Sequence, residues 1–209
     1  MRDLVVLVPD KNTQFALRGI LARHSALGIR PISYDFRIHP GRDGGVRTAG
    51  PELLRGERAR FHHALLVHDR AGCGASELAS TLDLEAELEQ RLETVWADRA
   101  KAIVIEPEVD AWIWGTESVL RECLAWPLRD TGIRDWLVSR QFQFDSHGKP
   151  RMPKEALEAL IPVHGLPRSS SLYERVTGRI SLRRCSDPAF LRLKQALVRW
   201  FESRVSSFA

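Results

Sequence analysis

Acidic residues that follow short apolar runs are the first candidates for chemistry in this chain. Asp10 follows Leu4 to Val8, Asp69 follows Phe61 to His68, and Glu106, Glu108 and Asp110 follow Lys101 to Ile105. Carboxylates gathered from distant parts of a chain repel one another unless a cation or basic group offsets them. Magnesium, or manganese in its place, suits such a cluster, being hard and oxygen-seeking. An ion held there would polarise a phosphate and stabilise its leaving oxygen. A plainer role is equally open, because an acid just after a strand often caps the next helix. Asp10 and Glu108 both stand where such a cap would.

Other residue types add weaker signals. Arg42-Asp43-Gly44-Gly45 lies in a glycine-dense stretch from His39 that reads as a turn, or as a loop whose amides face a phosphate. It lacks the GxxxxGK[ST] pattern of a nucleotide loop. His68 adjoins Asp69 and reads as a core histidine, with general base or metal ligand as the rival role. His62 and His63 alternate across a strand, so only one can face a cleft. Cys73 sits among glycines without a Cys-His spacing to activate it. Trp112 and Trp114 read as packing residues.

The elements that must position these residues alternate. Leu4 to Val8 is a continuous apolar run rich in β-branched valine, as in a parallel strand buried on both faces. Asn12 or Thr13 would cap a helix carrying Phe15, Leu17, Ile20 and Leu21 and ending near Gly28. Ile29 to Phe36 reads as the second strand, Pro51 to Arg60 as a helix, and Phe61 to His68 as the third strand. Leu82 to Trp96 is the clearest helix, with Leu84, Leu88, Leu92 and Val95 on one stripe. Lys101 to Ile105 is the fourth strand. Beyond residue 115 the pattern turns helical, with a short helix within Pro150 to Pro167. The last helix begins at Asp187-Pro188 and buries Phe190, Leu193, Leu197 and Phe201. The expectation is an α/β, Rossmann-like three-layer domain with a mainly parallel sheet over residues 1–115. Residues 116–209 would form a helical, basic extension packed on it. Ligands then bind outside the carboxyl ends of the strands, where the acids fall.

Composition narrows the classes. No apolar run reaches the roughly 18 residues of a membrane span, and Leu4 to Val8 is too short for a signal-peptide core. Three cysteines, Cys73, Cys123 and Cys185, contain no CxxC pair, so a disulfide framework and a cysteine zinc site are not expected. A cytoplasmic protein fits best. The net charge of +4 is unevenly spread. Residues 1–139 hold 18 Lys and Arg against 21 Asp and Glu, whereas residues 140–209 hold 13 against 6. That basic tail is either a solvated surface or a contact for phosphate or an acidic partner.

Asp69-Arg70-Ala71-Gly72-Cys73-Gly74 matches a DxDxxG pattern at Asp69 and Gly74, with Ala71 at the second aspartate's place. Pro9-Asp10 stands at the end of the first strand, and Glu108-Val109-Asp110-Ala111-Trp112 forms an acid-Ala-Trp element. In this order the features resemble the Toprim fold of topoisomerases, primases and nucleases. They resemble in particular uncharacterised Toprim-like families encoded beside ATPases in bacterial defence islands. Arg168 to Tyr173 and Cys185 to Phe190 look similar to stretches in those families. The resemblance implies a magnesium- or manganese-dependent nuclease or phosphoryl-transfer component of an anti-phage defence system, acting on DNA or RNA. Asp10, Asp69, Glu108 and Asp110 would be its catalytic acids, with Asp10, Asp69 and Asp110 on the metal. Arg42 and Arg70, or the basic tail, would contact phosphates. Ala71 removes one ligand, which leaves three outcomes open: a weakly held metal, a metal held with Asp43 in the missing place, or no metal at all. The same alanine favours the alternative, a non-catalytic Toprim-like subunit that binds a partner ATPase or nucleic acid. A small-molecule site on a generic doubly wound fold is a third reading, against which the missing glycine fingerprint counts for dinucleotides.

Overall fold

A computed structural model describes residues 1–127, 130–165 and 169–203. Pro167 and Arg168, named above, lie outside them. Four strands make one all-parallel sheet in the order β2-β1-β3-β4: β1 (Arg2–Val8), β2 (Tyr34–Ile38), β3 (Phe61–Asp69) and β4 (Ala100–Ile105). The helices are α1 (Lys11–Leu21), α2 (His24–Leu27), α3 (Arg42–Arg55), α4 (Thr81–Trp96), α5 (Asp110–Ile113), α6 (Glu117–Cys123), α7 (Ile133–Val138), α8 (Pro153–His164), α9 (Ser171–Thr177) and α10 (Pro188–Phe201).

The continuous apolar strands are buried on both faces, as their composition requires. Leu4, Val6 and Val8 of β1 join Leu65, Val67, Ile103 and Ile105 on one face, covered by α1, α9 and α10. Val5 and Leu7 join Ala64, Leu66 and Ala102 on the other, under Val46 and Leu54 of α3 and Leu88, Leu92 and Trp96 of α4. This gives the expected three-layer, Rossmann-like α/β fold with helices beyond residue 115. The first face is finished by those later helices, whose Leu120, Leu160, Tyr173 and Phe190 belong to the same apolar cluster. Among the described residues no helix is long and apolar enough to cross a membrane.

Two elements differ from their expected positions. The second strand starts at Tyr34 rather than Ile29. Gly28, at a φ of 81°, ends the short helix α2 instead of α1. Ile29 then forms a bridge with Glu202, and the Arg30 amide donates to the Phe201 carbonyl at 2.9 Å. The backbone of this stretch is therefore held by the C-terminal segment, and the sheet claims it only after Pro31.

The glycine-rich stretch after β2 is helix rather than loop. α3 begins at Arg42 and runs through Gly44, Gly45, Gly50 and Pro51. Pro51 has no N–H for the carbonyl four residues earlier. That carbonyl, on Arg47, accepts instead from the Arg91 guanidinium of α4 at 3.0 Å. Gly50 lets the helix lie close on the sheet. A Cβ there would stand 2.8 Å from Leu66 Cδ1 and 3.0 Å from Leu7 Cδ2.

The outer edge of β4 is covered in part by side chains. Glu85, buried on α4, accepts from the Val104 amide at 2.8 Å and from Arg192 of α10 at 2.7 Å. Arg192 also donates to the Val104 carbonyl at 3.4 Å. An edge strand otherwise offers unpaired amides and carbonyls to another chain. Here an ion pair occupies part of that edge.

Candidate acidic cleft at the strand ends

The chain leaves β1 toward β2 on one side and returns to β3 on the other. The strand order reverses there, and open α/β sheets bind ligands at that crevice. A cleft of about 1000 Å³ opens there. Asp10, Arg42, Asp43, Asp69, Glu108 and Asp110 line it, with Lys11, His39, Ala71 and Lys154.

Each acid is held by local structure. Asp10 follows β1 and caps α1, its Oδ1 accepting from the Thr13 amide at 2.9 Å. The cap is thus Asp10 rather than Asn12 or Thr13, so this residue performs the plain role as well as lining the cleft. Asp43 lies in the first turn of α3, where its Oδ1 accepts from the Asp69 amide at 2.8 Å. Asp69 ends β3, and its Oδ1 accepts from the Val109 amide at 2.9 Å. Asp110 opens α5 and is buried, with the Tyr173 hydroxyl donating to its Oδ1 at 2.5 Å. Glu108 is half-buried beside Lys154.

Electrostatics tie these groups together. Burial raises the Asp69 pKa well above the ordinary carboxylate range, and the charges of Asp43, Asp110 and Asp10 push the same way. Burial also raises Asp43, with Asp10 adding to it. Burial and then Asp110 push Glu108 up to about 7, against a smaller pull from Lys154. The acids from three strand ends and the first turn of α3 therefore feel one another across the cleft.

Proximity in charge is not the same as a ligand set. Among the described residues, no group of three or more His, Cys, Asp or Glu side chains is disposed to hold a metal ion as the side chains stand. The carboxylates are directed onto protein donors, three of them backbone amides. Asp10, Asp69 and Asp110 thus line one cleft without forming a ready-made cation site.

Comparison of the chain with models of known protein families, with curated proteins and with solved structures gives no match.

Other sequence candidates fall elsewhere. Arg42 lines the cleft at the first position of α3, at a φ of 50°. The Arg70 guanidinium turns to the Ser76 carbonyl at 2.6 Å and the Ala79 carbonyl at 3.3 Å, and lines a separate hollow with Glu106. Gly72 and Gly74 have φ of 75° and 71°, so that loop needs its glycines for backbone reasons. His68 is wholly buried. Its Nδ1 lies 2.8 Å from the Asp69 carbonyl, and burial lowers its pKa, which suits a neutral core histidine. His63 stacks on Trp200 and His62 is exposed. Cys73 is buried. Trp112 packs edge-on against Phe190, and the Trp114 indole donates to the Pro153 carbonyl at 3.1 Å.

Lys154, Lys11 and Tyr173 are not site candidates in the sequence, where Tyr173 enters only as the end of the Arg168 to Tyr173 stretch. Lys154 and Tyr173 reach the site from α8 and α9, 46 residues beyond Glu108 and 63 beyond Asp110. Only Lys11, next to Asp10, carried a local clue.

Proposed function

We propose that the cleft is a divalent-cation-assisted phosphoryl-transfer site of the Toprim-like kind, acting on the phosphodiesters of DNA or RNA. The observation that supports it best is the convergence of Asp10, Asp43, Asp69 and Asp110 at the strand-order reversal, where burial and then the charges of Asp43, Asp110 and Asp10 raise the Asp69 pKa. Such a cluster is relieved by a cation or by protons. Asp69 and Asp110, with Asp10 or Asp43, are the residues that would face magnesium or manganese. The ion would supply charge neutralisation at a phosphate oxygen. Lys11, Arg42 and Lys154 on the same walls provide positive charge for a phosphodiester backbone. Glu108, with a pKa near 7, can take up or release a proton at neutral pH. A setting beside defence-associated ATPases follows from the sequence resemblance alone.

The test is cleavage of single- and double-stranded DNA and RNA with magnesium or manganese, comparing the parent chain with Asp69→Ala. Metal-dependent cleavage lost in the variant supports the proposal. Equal activity in both, or none in either, overturns it.

One observation favours a second reading. Ala71 stands on the cleft wall where the resembled pattern has an acid, and among the described residues no ligand group is preformed. A Toprim-like subunit that binds a partner ATPase or nucleic acid without catalysis needs neither. Binding of nucleic acid that is indifferent to EDTA and to Asp69→Ala would select it.

A further inference from the structure

A second cavity, of about 550 Å³, lies where the start of α6, the 147–149 turn and the 179–186 segment meet. Arg23, His147, Lys149, Arg179 and Arg184 line it, and among the described residues no Asp or Glu does. This single-sign lining contrasts with the acidic cleft. It is also the structural counterpart of the excess of Lys and Arg over residues 140–209.

The cations are unequally compensated. Lys149 pairs with Asp187 at 3.1 Å, and Arg179 pairs with Glu122. Arg23 has only neutral partners in its described bonds, the carbonyls of Thr177 at 3.0 Å and Ile180 at 2.6 Å. Arg184 is exposed and has no ion-pair partner among the described residues. Among the described residues, the Arg23 and Arg184 guanidinium charges on this cavity wall are thus left without counter-charge. Trp112 lines the same cavity.

We infer that this cavity binds the phosphate or pyrophosphate group of a small ligand, held by Arg23, Arg184, Lys149 and Arg179. Guanidinium forks match phosphate oxygens, and a dianion matches the two uncompensated arginines. A cavity of this size falls in the range of small-ligand sites. The site is separate from the acidic cleft and needs no metal, so it stands whether or not the cleft is catalytic.

The experiment is calorimetric titration of inorganic pyrophosphate into the full chain in EDTA, with the parent, Arg184→Ala, Arg184→Glu and Asp69→Asn. A short single-stranded oligonucleotide serves as a parallel titrant. Arg184 is exposed, so both of its variants leave the fold intact; circular dichroism checks this. The expected result is saturable pyrophosphate binding by the parent and by Asp69→Asn. Arg184→Ala should bind about tenfold more weakly, the loss of one charge-assisted contact, and Arg184→Glu should not bind. No saturable binding by the parent at millimolar pyrophosphate overturns the inference. So does binding unchanged in both Arg184 variants, binding lost in Asp69→Asn, or binding of the oligonucleotide alone.

Discussion

Replacing Glu108 with glutamine should stabilise the protein above neutral pH and leave it unchanged in acid. Burial and the Asp110 charge lift the Glu108 pKa from the ordinary 4.5 to about 7. One pH unit of such displacement is worth about 1.4 kcal/mol, so the full value is roughly 3 kcal/mol. The carboxyl is half open to water, and screening reduces this to roughly 1–2 kcal/mol. The sign follows from proton binding. Between about pH 4.5 and 7 the folded chain holds a proton that the unfolded chain has released. Stability is therefore lost as pH rises through that window, and stays lost above it. Glutamine is neutral throughout and escapes the loss. Urea unfolding at pH 4, 5.5, 7 and 8, on parent and Glu108→Gln, reads the difference directly. The gap should be near zero at pH 4 and reach roughly 1–2 kcal/mol by pH 8. A variant no more stable than the parent at pH 8, or a gain equally large at pH 4, would refute the coupling between Glu108 and the acidic cluster.

Two further predictions concern the frame that positions the cleft. Gly19→Ala should destabilise by roughly 2 kcal/mol, because a Cβ there would stand 2.6 Å from the Glu174 carbonyl oxygen and strike Thr177 Oγ1 where α1 meets α9; thermal unfolding measures it. Arg192→Ala should cost roughly 3–5 kcal/mol by leaving Glu85 buried without its cation. The paired change Glu85→Gln with Arg192→Met should recover much of that loss in a double-mutant cycle.

The parts of this fold that are legible in sequence are those where packing and pattern agree. Leu4 to Val8 and Ala102 to Ile105 are apolar without interruption because both faces of the sheet are covered. The stripe on α10 reads correctly because Asp187 and Pro188 mark its start and one face alone is buried. β2 is harder, being an outer strand whose residues are half-buried or exposed, so its alternation is faint. α3 is hidden more deeply. Three glycines and a proline speak against a helix, and the compensation at Arg47 comes from Arg91, 44 residues away. The cleft divides in the same way. Asp10, Asp69, Glu108 and Asp110 are visible because they follow strands. Lys154 and Tyr173 are set by helix packing across the C-terminal half. Arg70 shows the opposite failure: it adjoins Asp69 in sequence, yet its side chain is drawn off by the carbonyls of residues 76 and 79.

Under the proposed function, the acids at the strand ends respond to a cation as one unit. Calorimetric titration of manganese chloride into the parent chain and into Asp69→Asn at pH 8 reads this response. One saturable site at or below millimolar manganese is expected in the parent, weakened about tenfold or more in the variant. No binding in the parent, or the same binding in both proteins, would overturn the proposal.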